Sequence, residues 1–351
     1  MNPGKPLLLI TLAALIGFSA CSNDVEWALS EEETNLLLLY LTGDKQSVDG
    51  RGGYFARLWY LQTGINNNPT DPSYVSLATT ANVTSGRKKL ILIQGWQVAD
   101  EDEGSLPSET ELKSRILGTW QHFLESSEYA AKNTTYDIYA FTYLSSNMVS
   151  QNGARFRNRL DNLFRSETGT VNVLAHSMGG LVTRYAVYEG DQATYFNNVV
   201  TLGTPFHGSP WASPQFQASN VLGSLATFFT GTSGGAALAY DNVNGDLSGA
   251  SNAELSYLNS LTSRDSAFVK YYYGTVTNSS PSFAVSSIDS ILSSACTSLG
   301  STGGTTSDCI VPAISASRAF NGNSVAAGNY GHSGIVMGDS TIRTAVLANY
   351  P

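Results

Sequence analysis

Val171–Ala186, "VNVLAHSMGGLVTRYA", is the stretch on which the reading of the whole chain turns. Val171–His176 is a short apolar run with strand character. It enters a knot of small residues directly, and a helix-like pattern follows from Gly179. The knot has the form A-x-S-x-G, with Ala175, Ser177 and Gly179 at the fixed positions. A strand that turns sharply into a helix pushes the central serine into a strained conformation and presents its hydroxyl. Residues two before and two after must then be small, and the start of the helix aims its N–H groups at any negative charge formed there. Ser177 is therefore a candidate nucleophile, with Ala175 in place of the more frequent first glycine. Gly180 is expected to let the helix approach its strand.

Working outward, strands and helices alternate. "KKLILIQGW" (88–96) is an apolar strand ending in a glycine turn. "SETELKSRILGTWQHFLESSEYAAK" (108–132) is a helix, with Ser108 and Glu111 forming a capping box. "YDIYAFTYL" (136–144) is a strand, "NGARFRNRLDNLFR" (152–165) a helix, and "NNVVTLGTP" (197–205) another strand. This alternation predicts an α/β fold with a mostly parallel central sheet flanked by helices. It lapses between 208 and 264, where "NVLGSLATFFTGTSGGAALAY" (220–240) is apolar but rich in Gly and Ser. An interruption of that length reads as a lid or cap, or as helices completing the core. "VKYYYGTVT" (269–277) resumes the strands. Residues 22–85 read as irregular, with an apolar burst at "NLLLLYL" (35–41).

A serine nucleophile needs a base, and the base needs an orienting acid. The chain has four histidines. His122 lies in a predicted helix. His176 adjoins Ser177 and is badly placed to reach the same hydroxyl. His207 follows a strand in "TLGTPFHGS". His332, in "NYGHSGIV", comes late, as the order nucleophile, acid, base requires. The acid should lie between Ser177 and His332. Asp308 in "TSDCIVPAISA" is the first candidate, Asp289 the second, and Asp241 and Asp246 stand behind them. The oxyanion hole should use the N–H of Met178, directly after the nucleophile. A second donor comes from "IQGWQ" (93–97): Trp96, or alternatively Gln97, with Gly95 turning the backbone inward.

The composition sets limits. A net charge of −9 argues against nucleic acid as a partner. At 42% hydrophobic the chain can build a core, and at only 13% charged it suits an extracellular, loop-rich protein. The opening "MNPGKPLLLITLAALIGFSACS" places Lys5 before an apolar run too short to span a bilayer, as an export signal does. Cleavage before Cys21 would leave Phe18 at −3, a poor fit to an ordinary signal-peptidase site. Three cysteines is an odd count; with residues 1–20 removed and Cys21 set aside, Cys296 and Cys309 remain. In an oxidising compartment they are expected to form a disulfide, the alternative being two buried thiols. That bridge would pin the loop carrying Asp308.

Two resemblances add to this. "FSAC" resembles a bacterial lipobox, which implies a lipid-anchored Cys21, and Ser22 after it resembles lipoproteins of the outer membrane; a plain secreted protein is the alternative. "LAHSMGGLVTRY" (174–185), "TLGTPFHGS" (201–209), "SDCIVP" (307–312) and "GHSGIV" (331–336) occur in the order seen in bacterial lipases and esterases of the α/β-hydrolase superfamily. The alanine at the elbow resembles Bacillus-type lipases, with Phe206 and Cys309 as departures from the usual motifs. Gln94-Gly95 stands where His-Gly is usual. The resemblance covers 88 to about 348 within a domain spanning 21–351. It implies an α/β-hydrolase fold and cleavage of carboxylic esters, without metal or organic cofactor. The ester would be a lipid, or an extracellular polyester, or the acyl group would pass to an acceptor other than water. Ser177, Asp308 and His332 would act as triad. "DNVNGDLSG" (241–249) has a calcium-loop flavour but no glutamate at the twelfth position.

Overall fold

The computed structural model describes residues 56–97, 107–189, 194–219, 232–276, 296, 299 and 306–351. Cys21 and the export segment, the 35–41 burst and Asp289 lie outside the described residues. Residues 55–351 form one compact unit.

Eight strands make one sheet in the order β2-β1-β4-β3-β5-β6-β7-β8. They are β1 (Arg57–Leu61), β2 (Val75–Leu77), β3 (Lys88–Ile93), β4 (Tyr136–Thr142), β5 (Val171–His176), β6 (Phe196–Leu202), β7 (Phe268–Gly274) and β8 (Ser324–Gly328). From β4 to β8 all pairings are parallel; β1 runs antiparallel to both β2 and β4. Within 22–85, read as irregular from the sequence, β1 and β2 thus extend the sheet by two strands. Their shortness, five and three residues, and the turns between them hide the period-two pattern. The structure has the α/β fold expected, with a mostly parallel sheet.

Side chains alternate across a strand, so a sheet covered on both faces is apolar at successive positions. Leu90, Leu92, Leu174 and Leu202 face one layer, and Ile91, Ile93, Val173 and Ala175 the other; all are buried. The first layer holds α1 (Glu109–Thr119), α2 (Gln121–Leu124) and α3 (Ser127–Thr135), through Leu112, Ile116, Phe123 and Tyr129. The second holds α4 (Val149–Phe164) and α5 (Met178–Tyr188), through Phe156, Leu160, Leu181 and Val182.

The segment 108–132 is three helices rather than one. The Ser108–Glu111 capping box starts α1. The chain then breaks at Trp120, and Ser126 starts α3 by accepting the N–H of Tyr129 at 3.2 Å. Within 208–264 the described helices are α6 (Pro214–Ser219), α7 (Ser233–Ala237) and α8 (Ala253–Ser260). After β7 come α9 (Ala313–Ala316), then β8, and α10 (Ser340–Leu347). Parallel strands put their carboxyl ends on one edge, where open α/β sheets hold their ligands.

Candidate active site

Three loops leave that edge and meet. Ser177 sits between β5 and α5 at φ 51°, ψ −132°, a conformation that non-glycine residues adopt only at a cost of about 1–3 kcal/mol. Its N–H donates to the carbonyl of Leu202 at 2.9 Å, so the end of β6 holds the turn. The small residues after it serve its neighbours. A Cβ on Gly179 would lie 2.5 Å from the carbonyl oxygen of Gln94, and one on Gly180 2.0 Å from Thr204 Oγ1. A side chain on Gly180 would thus meet the loop after β6.

His332, in the loop after β8, places Nε2 2.9 Å from Ser177 Oγ and Nδ1 2.7 Å from Asp308 Oδ2. A carboxylate can only accept here, so Nδ1 carries the proton and Nε2 is left to accept from the serine hydroxyl. Asp308 is fully buried. Its other oxygen, Oδ1, accepts the N–H groups of Ile310 at 3.0 Å and Val311 at 2.7 Å, so the charge is solvated by backbone. The backbone N–H of His332 donates to the carbonyl of Asp308 at 2.8 Å. Asp308 thus takes the place expected of the acid, and Asp241 is engaged elsewhere.

Met178 is the first residue of α5, so its N–H has no acceptor within the helix and faces the elbow. The loop after β3 passes directly over Ser177: a Cβ on Gly95 would lie 2.6 Å from Ser177 Cβ and 3.2 Å from Oγ. Trp96 follows it, half-buried against the α4–α5 layer. Gln97, the alternative donor, spends its N–H on Ser145 Oγ at 2.8 Å.

Cys296 and Cys309 are joined by a disulfide. Cys309, next to the acid, has φ 76°, in the left-handed region. The loop after β6 clamps the same acid segment. Trp211 Nε1 donates to the carbonyl of Cys309 at 3.1 Å, and Ser209 Oγ to that of Ile310 at 2.5 Å. Ser315 Oγ accepts the N–H of His207 at 3.0 Å and donates to the carbonyl of Gly208 at 2.7 Å. The motif "TLGTPFHGS" and its continuation therefore hold the acid loop. Ser209, Trp211 and Ser315 were not singled out in the sequence, because clamps from a side-chain hydroxyl or indole N–H to a backbone carbonyl leave no spacing signature.

His207 does not reach the serine; its Nδ1 lies 2.7 Å from Asp241 Oδ2, tying the loop after β6 to the interrupting segment. His122 lies on α2. The Nε2 of His176 lies 2.9 Å from the carbonyl oxygen of His332. In "DNVNGDLSG" the amide of Asn242 closes a turn on Leu247, and Asn244 Oδ1 accepts from Tyr240. Among the described residues no group of three or more His, Cys, Asp or Glu side chains could hold a metal ion. No helix among them is long and apolar enough to cross a membrane.

The elbow, the sheet order and the loops that converge on its carboxyl edge define the α/β-hydrolase fold. The family model described as PGAP1-like alpha/beta domain matches residues 89–244. Lipase BlEst2 of Bacillus licheniformis in its mature form is similar in fold, with TM-score 0.50 at 16% identity, over 76% of this chain and 93% of that one. Its propeptide form gives TM-score 0.47 at 15% identity, over 76% of this chain and 51% of that longer one. The lin2722 product of Listeria innocua gives 0.38 at 13%, over 74% and 93%. No curated protein sequence matches the chain.

Proposed function

We propose that the protein is a serine hydrolase of carboxylic esters, of the lipase or carboxylesterase kind, acting through an acyl-enzyme on Ser177. The observation that carries this is the unbroken relay from Ser177 Oγ through His332 to the buried Asp308, at 2.9 and 2.7 Å. The fold shared with a lipase supports the substrate class.

In this reading Ser177 Oγ attacks the ester carbonyl while His332 Nε2 takes its proton. The N–H groups of Met178 and Trp96 receive the oxyanion. His332 then returns the proton to the leaving alcohol, and Asp308 holds the imidazole in the required tautomer. Water, activated by His332, clears the acyl group. The disulfide beside Asp308 supports a life outside the reducing cytoplasm. We place the protein there, held to a membrane through lipid on Cys21 after removal of 1–20.

The test is hydrolysis of p-nitrophenyl esters of increasing acyl length by the full chain in mild detergent, beside Ser177→Ala. Loss of all turnover in the variant is expected, and equal turnover in both would overturn the reading. Radiolabelled fatty acid should enter the wild type and not Cys21→Ala; label in both would remove the anchor.

A further inference from the structure

His176 is the last residue of β5 and the immediate neighbour of the nucleophile, yet its ring makes no contact with Ser177 Oγ of the kind a base would make. Its Nε2 lies 2.9 Å from the carbonyl oxygen of His332. A carbonyl only accepts, so Nε2 must carry the ring's proton and Nδ1 must be bare. The two imidazoles lie with centroids 4.6 Å apart and planes inclined by 47°. On its other side the His176 ring backs the loop after β3, since a Cβ on Gly95 would lie 3.2 Å from His176 Nδ1.

The backbone of His332 is consequently held at both of its polar groups. Its N–H is bound to the carbonyl of Asp308 at 2.8 Å, and its carbonyl is bound to His176. The first bond joins the base to the acid loop. The second joins it to the strand that carries the nucleophile. The loop is also tied internally by the N–H of Ile335 to the carbonyl of Gly331 at 3.0 Å; the His176 bond ties it to β5.

We propose that His176 is a positioning residue: its Nε2–H fixes the His332 backbone to the nucleophile's own strand and so keeps the His332 ring on Ser177 Oγ. This rests on the reading of Ser177 as nucleophile. The role requires a neutral ring. A second positive charge 4.6 Å from the imidazolium formed during turnover would oppose it. Burial, with the neighbouring His332 as the next cause, pushes His176 well below the ordinary histidine value, so it stays a neutral donor.

The variants His176→Phe and His176→Gln separate the donor from the ring, since glutamine keeps an N–H at about the position of Nε2. Phe should lower kcat about 10- to 100-fold with KM little changed, the size of effect that misplacing a reacting group by ~1 Å produces. Gln should recover most of it. Phe at wild-type kcat, or Gln as impaired as a folded Phe variant, overturns the proposal. If Phe does not fold, kcat of the Gln variant decides alone.

A second readout needs no ester. In the ¹⁵N imidazole spectrum of the full chain in detergent, His176 should show the neutral Nε2–H tautomer throughout about pH 6–8. An Nδ1–H tautomer, or protonation in that window, overturns the proposal. If the wild type neither turns over esters nor is labelled at Ser177 by a fluorophosphonate, the hydrolase reading fails. The spectrum still decides whether His176 holds His332.

Discussion

Asp308 shows how much a single carboxylate is asked to do. One oxygen orients His332, the other takes two backbone N–H groups, and its own backbone carbonyl holds the His332 amide. Asp308→Asn keeps the volume and reverses the polarity toward Nδ1, which favours the wrong tautomer. We expect kcat to fall about 10⁴-fold with the fold intact, as read by ester turnover and circular dichroism. Gly203 is a second single-residue test. Its φ is 57°, and a Cβ there would lie 2.7 Å from Asp308 Oδ2 and 3.1 Å from His332 Nδ1. Gly203→Ala should cost about 1–2 kcal/mol of stability, because alanine is strained at that φ, and should lower kcat by more than that loss explains, because Asp308 and His332 must give way. Equal losses of both would show instead that the strand end yields.

Among the elements, the loop carrying Asp308 has little regular structure and several fastenings. The disulfide, Trp211, Ser209 and Ser315 all hold it. Cys309 stands at φ 76°, where glycine carries no steric cost and alanine does. Cys296→Ser with Cys309→Gly should keep near-native kcat while losing about 3 kcal/mol of stability in denaturant, the scale for a short closed loop. Cys296→Ser with Cys309→Ala should lose more of both. Strands β3 to β7, α4, α5 and the elbow were legible in the sequence, because each carries a run of apolar residues or a fixed small-residue spacing. Ser177 was proposed from the small-residue elbow, and His332 from chain order. Asp308 could be ranked above Asp289 but not separated from it by residues alone. The strands β1, β2 and β8 were not legible, since three to five residues of mixed polarity give no period. Nor was the bond from His176 to His332, which depends on where a loop 156 residues away returns.

At the scale of the whole molecule, a partly buried ion cluster ties α5, the helix after Ser177, to the far end of the interrupting segment. Arg184 on α5, fully buried, donates to Asp265 at 2.8 Å, and Arg318 donates to the same carboxylate at 2.5 Å. Burial alone would raise the Asp265 carboxyl. Hydrogen bonds from Arg318, Tyr188 and Arg184 outweigh it and hold it below the ordinary 3.8. A lowered folded value gives stability that is complete above the unfolded value and lost as pH falls through the depressed one, hence below about pH 3.8. Asp265→Ala should cost about 3 kcal/mol in urea at neutral pH, because it strands buried guanidinium charge. The variant's stability should also fall less steeply than the wild type's in that acid range; parallel curves would place the acid sensitivity elsewhere.

The distance along the chain between the reacting groups has a consequence for synthesis. Ser177 and His332 are 155 residues apart, and β8 must pair with β7 before the base can arrive. Beyond it, Tyr350 OH reaches the carbonyl of Val173 at 2.7 Å, in the strand that bears the nucleophile. Under the proposed function, a growing chain that has made only the elbow carries Ser177 without His332 and should be inert until β8 and the loop after it have been made. If Ser177 and His332 act as proposed, ester turnover therefore reports that β8 and the His332 loop have folded onto the sheet.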